Sequence, residues 1–177
     1  MNICVFCGSA SGNDPIYGRA AENFGKLLAL RSHRLIYGGG NVGLMGILAD
    51  AVLKHGGEVI GVIPGFLEKR EVAHRGITSL EVVTSMHDRK KRMADLAEAF
   101  VALPGGWGTL EELAEILTWK QLGLIHQPIG LLNVNRFFDP LHLQMKQMVD
   151  EGFLMEMNFK SLTINEDATA LLAALLG

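Results

Sequence analysis

The sequence predicts an α/β fold, with a doubly wound, mostly parallel sheet in a Rossmann-like three-layer sandwich. Short apolar runs alternate with helical patterns from one end of the chain to the other. Repeated β-α units with apolar strands are typical of a parallel sheet covered by helices on both faces. No linker, low-complexity tract or repeat interrupts the 177 residues. That length suits one domain, so we expect a single domain over residues 1–177.

The first four predicted strands are short apolar runs that end in loops. They are Ile3 to Phe6, "RLIY" at 34–37, "EVIGVIP" at 58–64 and "LEVVTS" at 80–85. Asp14 before Pro15 has the pattern of an N-cap with proline at the first helical position, which predicts a helix towards Ser32. A second helix is predicted from Leu44 to His55, where a pair of glycines ends it.

The second half of the chain continues the alternation. A helix from about His87 to Ala99 leads into a fifth strand, "FVALP" at 100–104. Next come a helix over Leu110 to Leu122, a strand "PIGLLNV" at 128–134 and a helix over Pro140 to Glu151. Near the end, "LTI" predicts a short strand, and "DATALLAALL" predicts a closing helix capped by Asp167.

Composition and charge exclude several classes of protein. The net charge of −3 does not suit a general nucleic-acid binder or a membrane-surface protein. No apolar run reaches the ~18 residues of a membrane span. The N-terminus "MNICVFCGS" has no basic region ahead of its apolar run, so we do not expect it to be a signal peptide. We therefore expect a cytoplasmic protein.

Cys4 and Cys7 form a C-x-x-C pair, but the pattern does not favour a redox or zinc centre. Cys4 lies inside a predicted strand, and the odd spacing places the two thiols on opposite faces. There is no second cysteine pair, and the histidines lack the spacing of metal ligands. Two ordinary cysteines in or near the core are the favoured interpretation, and no metal site is predicted.

Three glycine-rich loops give the first functional signal. Residues 8–12, 38–43 and 105–108 each follow a predicted strand, so the carboxyl ends of the sheet bring them to one edge. Bare backbone at a helix N-terminus attracts anions, because free N–H groups and the helix dipole both favour negative charge. One such loop can be only a tight turn, but three together predict phosphate or nucleotide binding. The candidate residues in the first two loops are Gly8, Ser9, Gly38, Gly39 and Gly40.

Other nucleotide and catalytic motifs fit less well. The 38–43 loop matches the G-x-G-x-x-G fingerprint of dinucleotide-binding proteins, which requires an acidic residue about 20 positions on. The residues there, "IPG" at 63–65, are uncharged. No glycine loop ends in the Gly-Lys-Ser/Thr of a P-loop, and Ala10 occupies the nucleophile's place in "GSASG". An NAD-dependent oxidoreductase is therefore a disfavoured alternative.

The helix "MHDRKKRMADLA" carries two cations that lean towards its apolar side. At roughly 100° per residue, two methionines and an alanine define an apolar stripe. Arg89 lies about 60° to one side of it and Lys90 about 40° to the other. Lys91 and Arg92 point away, as on a solvated basic face. The two inward cations need an anionic partner, either a carboxylate or a bound phosphate.

The helix after "PGGWG" has two apolar sides. The first consists of Leu110, Leu113, Ala114 and Leu117, and the second, nearly opposite, of Glu112, Ile116 and Trp119. An isoleucine and a tryptophan on an outer face predict that a second subunit covers them. Glu112 would then lie where the glycine loops meet a dimer interface.

Glu112 also has a purely structural interpretation. Thr109-x-x-Glu112 is a capping box, with Thr109 as the N-cap and Glu112 bonding back to its N–H. Glu111 would complement the helix dipole. The local pattern alone favours capping over catalysis.

The motif set as a whole resembles a known family. "PGGWGTLEE" matches the P-G-G-x-G-T-x-x-E signature of the Lonely Guy (LOG) proteins, cytokinin-activating phosphoribohydrolases, with Trp107 at the variable position. Further matching segments are "CVFCGSASG" near the start, "YGGGNVGLMG" at 37–46, "REVAHRGI" at 70–77, "SMHDRK" at 85–90 and "QLGLIHQPIGLLN" at 121–133. The resemblance runs essentially end to end.

The resemblance implies hydrolysis of the N-glycosidic bond of an N6-modified adenosine 5′-monophosphate, giving free base and ribose 5-phosphate. Some relatives cleave AMP itself. It also implies a homodimer with its active site near the subunit interface, and no metal or organic cofactor. Many proteins with these motifs are labelled lysine decarboxylases, but nothing in this sequence marks a cofactor-linked lysine.

By position in the motifs, Arg89 and Glu112 take the family's catalytic roles. Substrate-binding roles fall to Glu71, Lys90, Gly105, Gly106, Trp107, Gly108, Thr109, Leu110, Glu111 and Thr118. A non-catalytic nucleotide sensor or carrier of related fold remains the alternative. Such a protein would explain the glycine loops and the cations but not the combination of Arg89 with Glu112.

Overall fold

Seven strands form one sheet in the computed structural model, which describes residues 1–69 and 72–177. The strands are β1 (Asn2–Phe6), β2 (Arg34–Tyr37), β3 (Val59–Pro64), β4 (Ser79–Val83), β5 (Ala99–Ala102), β6 (Ile129–Leu132) and β7 (Leu162–Asn165). They lie in the order β4-β3-β2-β1-β5-β6-β7. Every neighbouring pair is parallel. The predicted doubly wound α/β sandwich is confirmed, and the described sheet is wholly rather than mostly parallel.

Helices connect the strands. They are α1 (Pro15–Leu30), α2 (Gly43–Lys54), α3 (Met86–Leu96), α4 (Trp107–Gln121), α5 (Asp139–Asp150), α6 (Glu156–Lys160) and α7 (Ala168–Leu176). Short 3-10 turns over Gly65–Leu67 and Val134–Arg136 follow β3 and β6. Across residues 1–69 and 72–177, none of these helices is long and apolar enough to cross a membrane.

Each face of the sheet packs against its own helices. On one face, Phe24 of α1, Leu48 of α2 and Leu171 of α7 belong to a single buried cluster. On the other face, Met93 of α3 and Leu113 of α4 belong to a second cluster. Burying each such side chain is worth roughly 1.5–3 kcal/mol. The two clusters explain why the strand segments are apolar on both sides.

Helix ends are fixed where the sequence predicts. The Asp14 carboxylate accepts a hydrogen bond from Ile16 N at 2.8 Å, ahead of α1. The Asp167 carboxylate accepts one from Ala170 N at 2.7 Å, ahead of α7. Gly56, which follows α2, has a φ of 76°, the left-handed conformation that commonly ends a helix.

Apart from the start of α4, which lies at Trp107 rather than at Leu110, two helical predictions differ from the structure. α3 ends at Leu96 rather than at Ala99, because Ala99 already begins β5. The five-residue α6 was not predicted, since "EMNFK" is too short to show a helical period. Neither difference moves a loop at the carboxyl edge of the sheet.

Candidate active site

The strand order reverses at β1, which pairs with β2 on one side and β5 on the other. Loops that leave neighbouring strands at such a reversal diverge and open a crevice, the usual place for a ligand in this architecture. Gly8 N donates to Pro104 O at 3.1 Å, joining the loops after β1 and β5. Leu44 N, just past the second glycine loop, donates to Gly8 O at 3.0 Å. The predicted convergence of the three glycine loops is confirmed.

Two glycines allow these loops to pack backbone against backbone. Gly43 has a φ of 57°, and a Cβ there would overlap the backbone of Ser9. A Cβ on Gly105 would overlap the Thr109 side chain and lie 2.9 Å from Gly8 N. Contact between the loops, rather than a ligand, accounts for glycine at both positions.

Gly106 and Gly108 have no such packing reason. A Cβ at either position would meet no protein atom within 4 Å. α4 begins between them, with Gly106 as an N-cap that makes no side-chain capping bond. Beside them the Trp107 side chain is 87% exposed. The first turn of α4, whose N–H groups lack partners within the helix, is thus bare enough for an anion to approach closely.

The capping box predicted at Thr109 is wrong. Thr109 lies within the first turn of α4, two residues after its start, and is buried. Glu112 therefore lies in the second turn, past the N3 position from which a capping side chain reaches back. The glycines at 106 and 108 let the helix begin earlier than the Thr-x-x-Glu pattern indicates.

Arg89 is buried at the same edge, as its helical position predicts. Ser85 caps α3 by accepting a hydrogen bond from Asp88 N at 3.1 Å. Hydroxyl donation from Thr84 and Ser85 holds the pKa of the Asp88 carboxyl below its ordinary value. One residue on, Arg89 is 5% exposed, and its Nη2 donates to Gly38 O at 3.1 Å. A Cβ on Gly38 would overlap this guanidinium.

Lys90 lies against two carboxylates of α4. Its Nζ is 2.6 Å from Glu111 Oε1 and 3.1 Å from Glu115 Oε2. The hydrogen bond to Glu111 is the largest cause that raises the pKa of Lys90. The predicted need of this cation for an anionic partner is met here by protein side chains. Lys91 and Arg92 are exposed, as predicted.

The charges of Glu112 and Arg89 both influence the pKa of the buried Cys4 thiol. Burial raises the pKa of Cys4, the charge of Glu112 raises it further, and the charge of Arg89 lowers it. Burial and Glu112 also raise the pKa of Cys7. Both thiols stay protonated at neutral pH, which makes them poor nucleophiles. Because Cys4 senses both charges, the two predicted catalytic residues lie in one region of the site.

The cysteines have the arrangement that their spacing predicts. Cys7 belongs to the core cluster on one face of the sheet and Cys4 to the cluster on the other. Among the residues that the structure describes, no three His, Cys, Asp or Glu side chains are grouped so as to hold a metal ion.

A small cavity beside the first and third glycine loops was not predicted. It has a volume of about 210 Å³ and includes the rings of Tyr17 and Phe137 in its wall. These rings meet edge to face, with centroids 5.9 Å apart. Phe137 follows Asn135 and Arg136, both in the left-handed conformation. No sequence pattern indicates two consecutive left-handed residues without glycine, so the arrival of Phe137 here could not be read from the sequence.

Of the predicted substrate-binding residues that the structure describes, Thr118 is not brought to the glycine loops. Glu71 lies outside the described residues. Thr118 is nine residues beyond Thr109 on α4, about 14 Å along the helix axis. Its hydroxyl donates to Ala114 O at 2.8 Å, and it lines a different part of the surface.

The prediction that the Ile116 and Trp119 side of α4 forms a dimer interface is wrong. Ile116 is 3% exposed and packs with Leu113 in the core, and Trp119 is half-buried against the same cluster. The uncovered side is instead the one that carries Leu110, Ala114 and Leu117. Both sides of α4 are apolar, so periodicity could not tell which one meets the sheet.

That uncovered side borders an apolar groove of about 330 Å³ between α4, α5 and α6. Other large exposed apolar side chains lie just past α4, on α5 and around α6. They are Leu122, Leu124, Leu143, Phe153, Met155 and Met157.

Comparison with known proteins agrees with the signature at the start of α4. A family model described as "possible lysine decarboxylase" matches residues 45–175. The chain is 50% identical over 155 residues to a cytokinin riboside 5′-monophosphate phosphoribohydrolase of Arabidopsis thaliana, covering 88% of this chain and 71% of that protein. It is 45% identical over 175 residues to the enzyme of the same name from Rhodococcoides fascians, covering 98% and 88%.

A solved structure shares the fold. The Moco carrier protein of Chlamydomonas reinhardtii aligns with a TM-score of 0.72 over 98% of this chain and 93% of its own. At 22% sequence identity this likeness concerns the fold alone. The curated relatives decide the family, since they are close in sequence over most of both chains. The chain belongs to the Lonely Guy family of cytokinin riboside 5′-monophosphate phosphoribohydrolases.

Proposed function

We propose that this protein hydrolyses the N-glycosidic bond of N6-modified adenosine 5′-monophosphates, and of AMP, to free base and ribose 5-phosphate. The observation that carries the proposal is that Arg89 and Glu112 both lie near the buried Cys4 thiol, beside a glycine-lined helix N-terminus without a side-chain cap. The names of the curated relatives support the same reaction.

The 5′-phosphate is proposed to bind at the start of α4. Gly106 and Gly108 leave the backbone of the first turn uncovered, and the helix dipole favours a dianion there. Lys90 of α3 adds a positive charge close to this site, since its ammonium group bonds to Glu111 in the second turn of α4. A bound phosphate would compete with Glu111 for that ammonium group.

Glu112 is proposed to act on the ribose. Breaking a glycosidic bond develops positive charge on the sugar, in an oxocarbenium-like transition state. A carboxylate beside the ribose stabilises this charge and can orient or deprotonate the attacking water. Glu112 lies one turn below the proposed phosphate position, so a substrate held by its phosphate places its ribose within reach of this carboxylate.

Arg89 is proposed to hold the ribose side of the substrate and to help position the leaving base. Its guanidinium is already oriented by the Gly38 carbonyl before substrate arrives. Such preorganisation lowers the barrier, because less ordering is left for the reaction itself. The raised thiol pKa values argue against Cys4 or Cys7 as nucleophiles in place of water.

We also propose a homodimer formed through the apolar groove of α4, α5 and α6. Monomeric soluble proteins rarely leave a large apolar surface uncovered, and three helices contribute apolar side chains to this groove. Thr118 lines this groove, so a substrate-binding role for Thr118 fits a site close to the subunit interface. A cytoplasmic location is proposed in addition, since Cys4 and Cys7 are both free thiols.

The decisive experiment incubates the purified protein with isopentenyl-AMP, AMP and isopentenyladenosine, and measures free base by chromatography. Both nucleotides should release base. The nucleoside, which lacks the phosphate, should be a poor substrate, because a site built for a charged group loses several kcal/mol without it. Comparable turnover of nucleoside and nucleotide would refute the phosphate site. Binding of nucleotide without any release of base would favour the non-catalytic carrier.

A further inference from the structure

The chain that follows β3 returns across the second glycine loop. Asn41 N donates to Val72 O and His74 N donates to Gly39 O, both at 2.9 Å. Between these bonds, Gly40 and Ala73 form an isolated antiparallel bridge. Residues 72–76, which we call the clamp segment, therefore hold the peptide groups of that loop in place.

The imidazole of His74 ties the clamp segment to α2. The His74 side chain is 10% exposed, and its Nε2 lies 3.0 Å from Asp50 Oδ1. Gly76 N donates to its Nδ1 at 3.3 Å. Because Nδ1 accepts, the proton of the neutral ring is on Nε2, which donates to Asp50. The ring thus makes two different hydrogen bonds that substitutions can separate.

These contacts connect the second glycine loop, the clamp segment and α2 in a closed circuit of hydrogen bonds. α2 begins at Gly43, the last residue of the loop, and its Asp50 bonds to His74. The two neighbouring carbonyls at the start of the loop are used on different sides: that of Gly39 accepts from His74 N, and that of Gly38 accepts from Arg89. A shift of the clamp segment would displace the Gly39 carbonyl and, with it, the adjoining peptide group, whose Gly38 carbonyl orients Arg89.

We propose that His74, through its hydrogen bond to Asp50, is a positioning residue that fixes the Gly38 carbonyl against Arg89. The effect on turnover rests on the proposed hydrolysis, whereas the effect on Arg89 rests only on the contacts given above. No contact of His74 with substrate is needed.

The test compares two substitutions that each keep one nitrogen's role. His74→Asn retains an acceptor near Nδ1 but cannot reach Asp50, whereas His74→Gln retains a donor near Nε2. We expect His74→Asn and Asp50→Ala to lower kcat about tenfold with KM changed less than twofold, well below the melting temperature. His74→Gln should restore kcat to within about twofold of wild type. Arg75→Ala, which removes only the exposed Arg75–Glu68 pair in the same segment, is the control and should leave kcat unchanged.

A second measurement does not depend on activity. The side-chain Nε–H resonance of Arg89, assigned by its loss in Arg89→Lys, should shift in His74→Asn and Asp50→Ala but not in Arg75→Ala. An unmoved resonance would overturn the proposal, whatever happens to kcat. Equal losses of activity in His74→Asn and His74→Gln, in step with lower melting temperatures, would overturn it as well. If the wild-type protein hydrolyses no nucleotide, the proposed function fails and the Arg89 resonance alone decides on His74.

Discussion

Glu112 is the residue for which the largest single effect is expected. In Glu112→Gln the shape of the side chain is kept and its charge is lost. If the charge stabilises the ribosyl cation or activates water, kcat should fall on the order of 10²-fold or more. Melting should stay near wild type, since Glu112 does not cap α4, and AMP should still bind because the phosphate site lies one turn away. Steady-state kinetics, calorimetric AMP binding and thermal melting measure the three quantities.

The control for Glu112→Gln is Glu22→Gln, which removes an exposed carboxylate from α1. It changes the net charge equally and should leave kcat unchanged. Wild-type turnover by Glu112→Gln would remove this carboxylate from the reaction.

Gly38 should be as sensitive as a side chain of the site. In Gly38→Ala the new methyl overlaps the Arg89 guanidinium, the flexible end of a long side chain, so Arg89 should move while the fold remains. We expect kcat to fall at least tenfold, because a displaced guanidinium no longer meets the substrate in the productive geometry. The melting temperature should fall by only a few degrees.

Gly65→Ala provides the comparison for Gly38→Ala. Its methyl would lie 3.7 Å from Val82 Cγ1, an ordinary contact, at the same edge of the sheet. Equal kinetics for the two alanine variants would mean that the overlap with Arg89 has no effect on the reaction.

For single residues, the sequence predicts the direction in which a side chain points better than it predicts the groups that the side chain bonds to. The helical spacing of residues 86–97 correctly predicts that Arg89 and Lys90 lean inward. Their partners, the Gly38 carbonyl and Glu115, come from other elements and could not be predicted from that spacing. At Thr109 the local pattern itself is misleading. It predicts an N-cap there, whereas α4 begins earlier, at Trp107.

A substitution at the start of α4 should affect the stability of the protein and its affinity for nucleotide in different ways. Gly108 is the second residue of the helix, and alanine is a better helix former than glycine by up to about 1 kcal/mol. Gly108→Ala should therefore melt no lower than wild type. Its methyl would stand in the open space proposed for the phosphate, so KM for AMP should rise at least tenfold.

The matched control for Gly108→Ala is Gly18→Ala in α1, where the methyl would lie 3.6 Å from Ile47 Cδ1. It should gain similar stability with KM unchanged. An unchanged KM in Gly108→Ala would move the phosphate away from this helix.

Elements are predicted well where their two sides differ and poorly where they do not. Capped helices such as α1 and α7 have the predicted start, because Asp14 and Asp167 make the expected bonds. α4 has apolar residues on both sides, so its inner face had to come from the structure. The correction matters for function, since it moves the uncovered surface from Ile116 to Ala114.

The whole molecule is expected to be a dimer through that surface. Light scattering at micromolar concentration should report about twice the chain mass of 19.3 kDa. Ala114→Glu places a charge in the apolar groove on an exposed helix position and should yield a monomer. Ala173→Glu, the same change on exposed α7 in the opposite layer, should remain dimeric. A wild-type monomer with full activity would contradict both the interface and its link to the site.

The alternation of strands and helices was sufficient to predict the parallel sandwich and the convergence of the glycine loops. It could not give the strand order, because each new strand can add to either edge of a growing sheet. The reversal at β1 is what joins the loops of residues 8–12 and 104–106. The cavity walled by Tyr17 and Phe137 depends on that order and on an unusual turn, which explains why it had no counterpart in the sequence.

The acceptor for Arg89 is a main-chain carbonyl, and this affects how the protein tolerates replacement of its parts. A carbonyl is present whatever residue occupies a position, so substitutions elsewhere in the loop leave the acceptor in existence. Two positions of the loop nevertheless require glycine. Any side chain at position 38 would overlap the Arg89 guanidinium, and Gly39 has a φ of 77°, which disfavours other residues. In a library that samples every amino acid at residues 38–42, active clones should retain glycine at positions 38 and 39 even where the exposed Asn41 has changed. The loop thus orients Arg89 through its main chain, so an exposed side chain such as that of Asn41 can change without removing the acceptor.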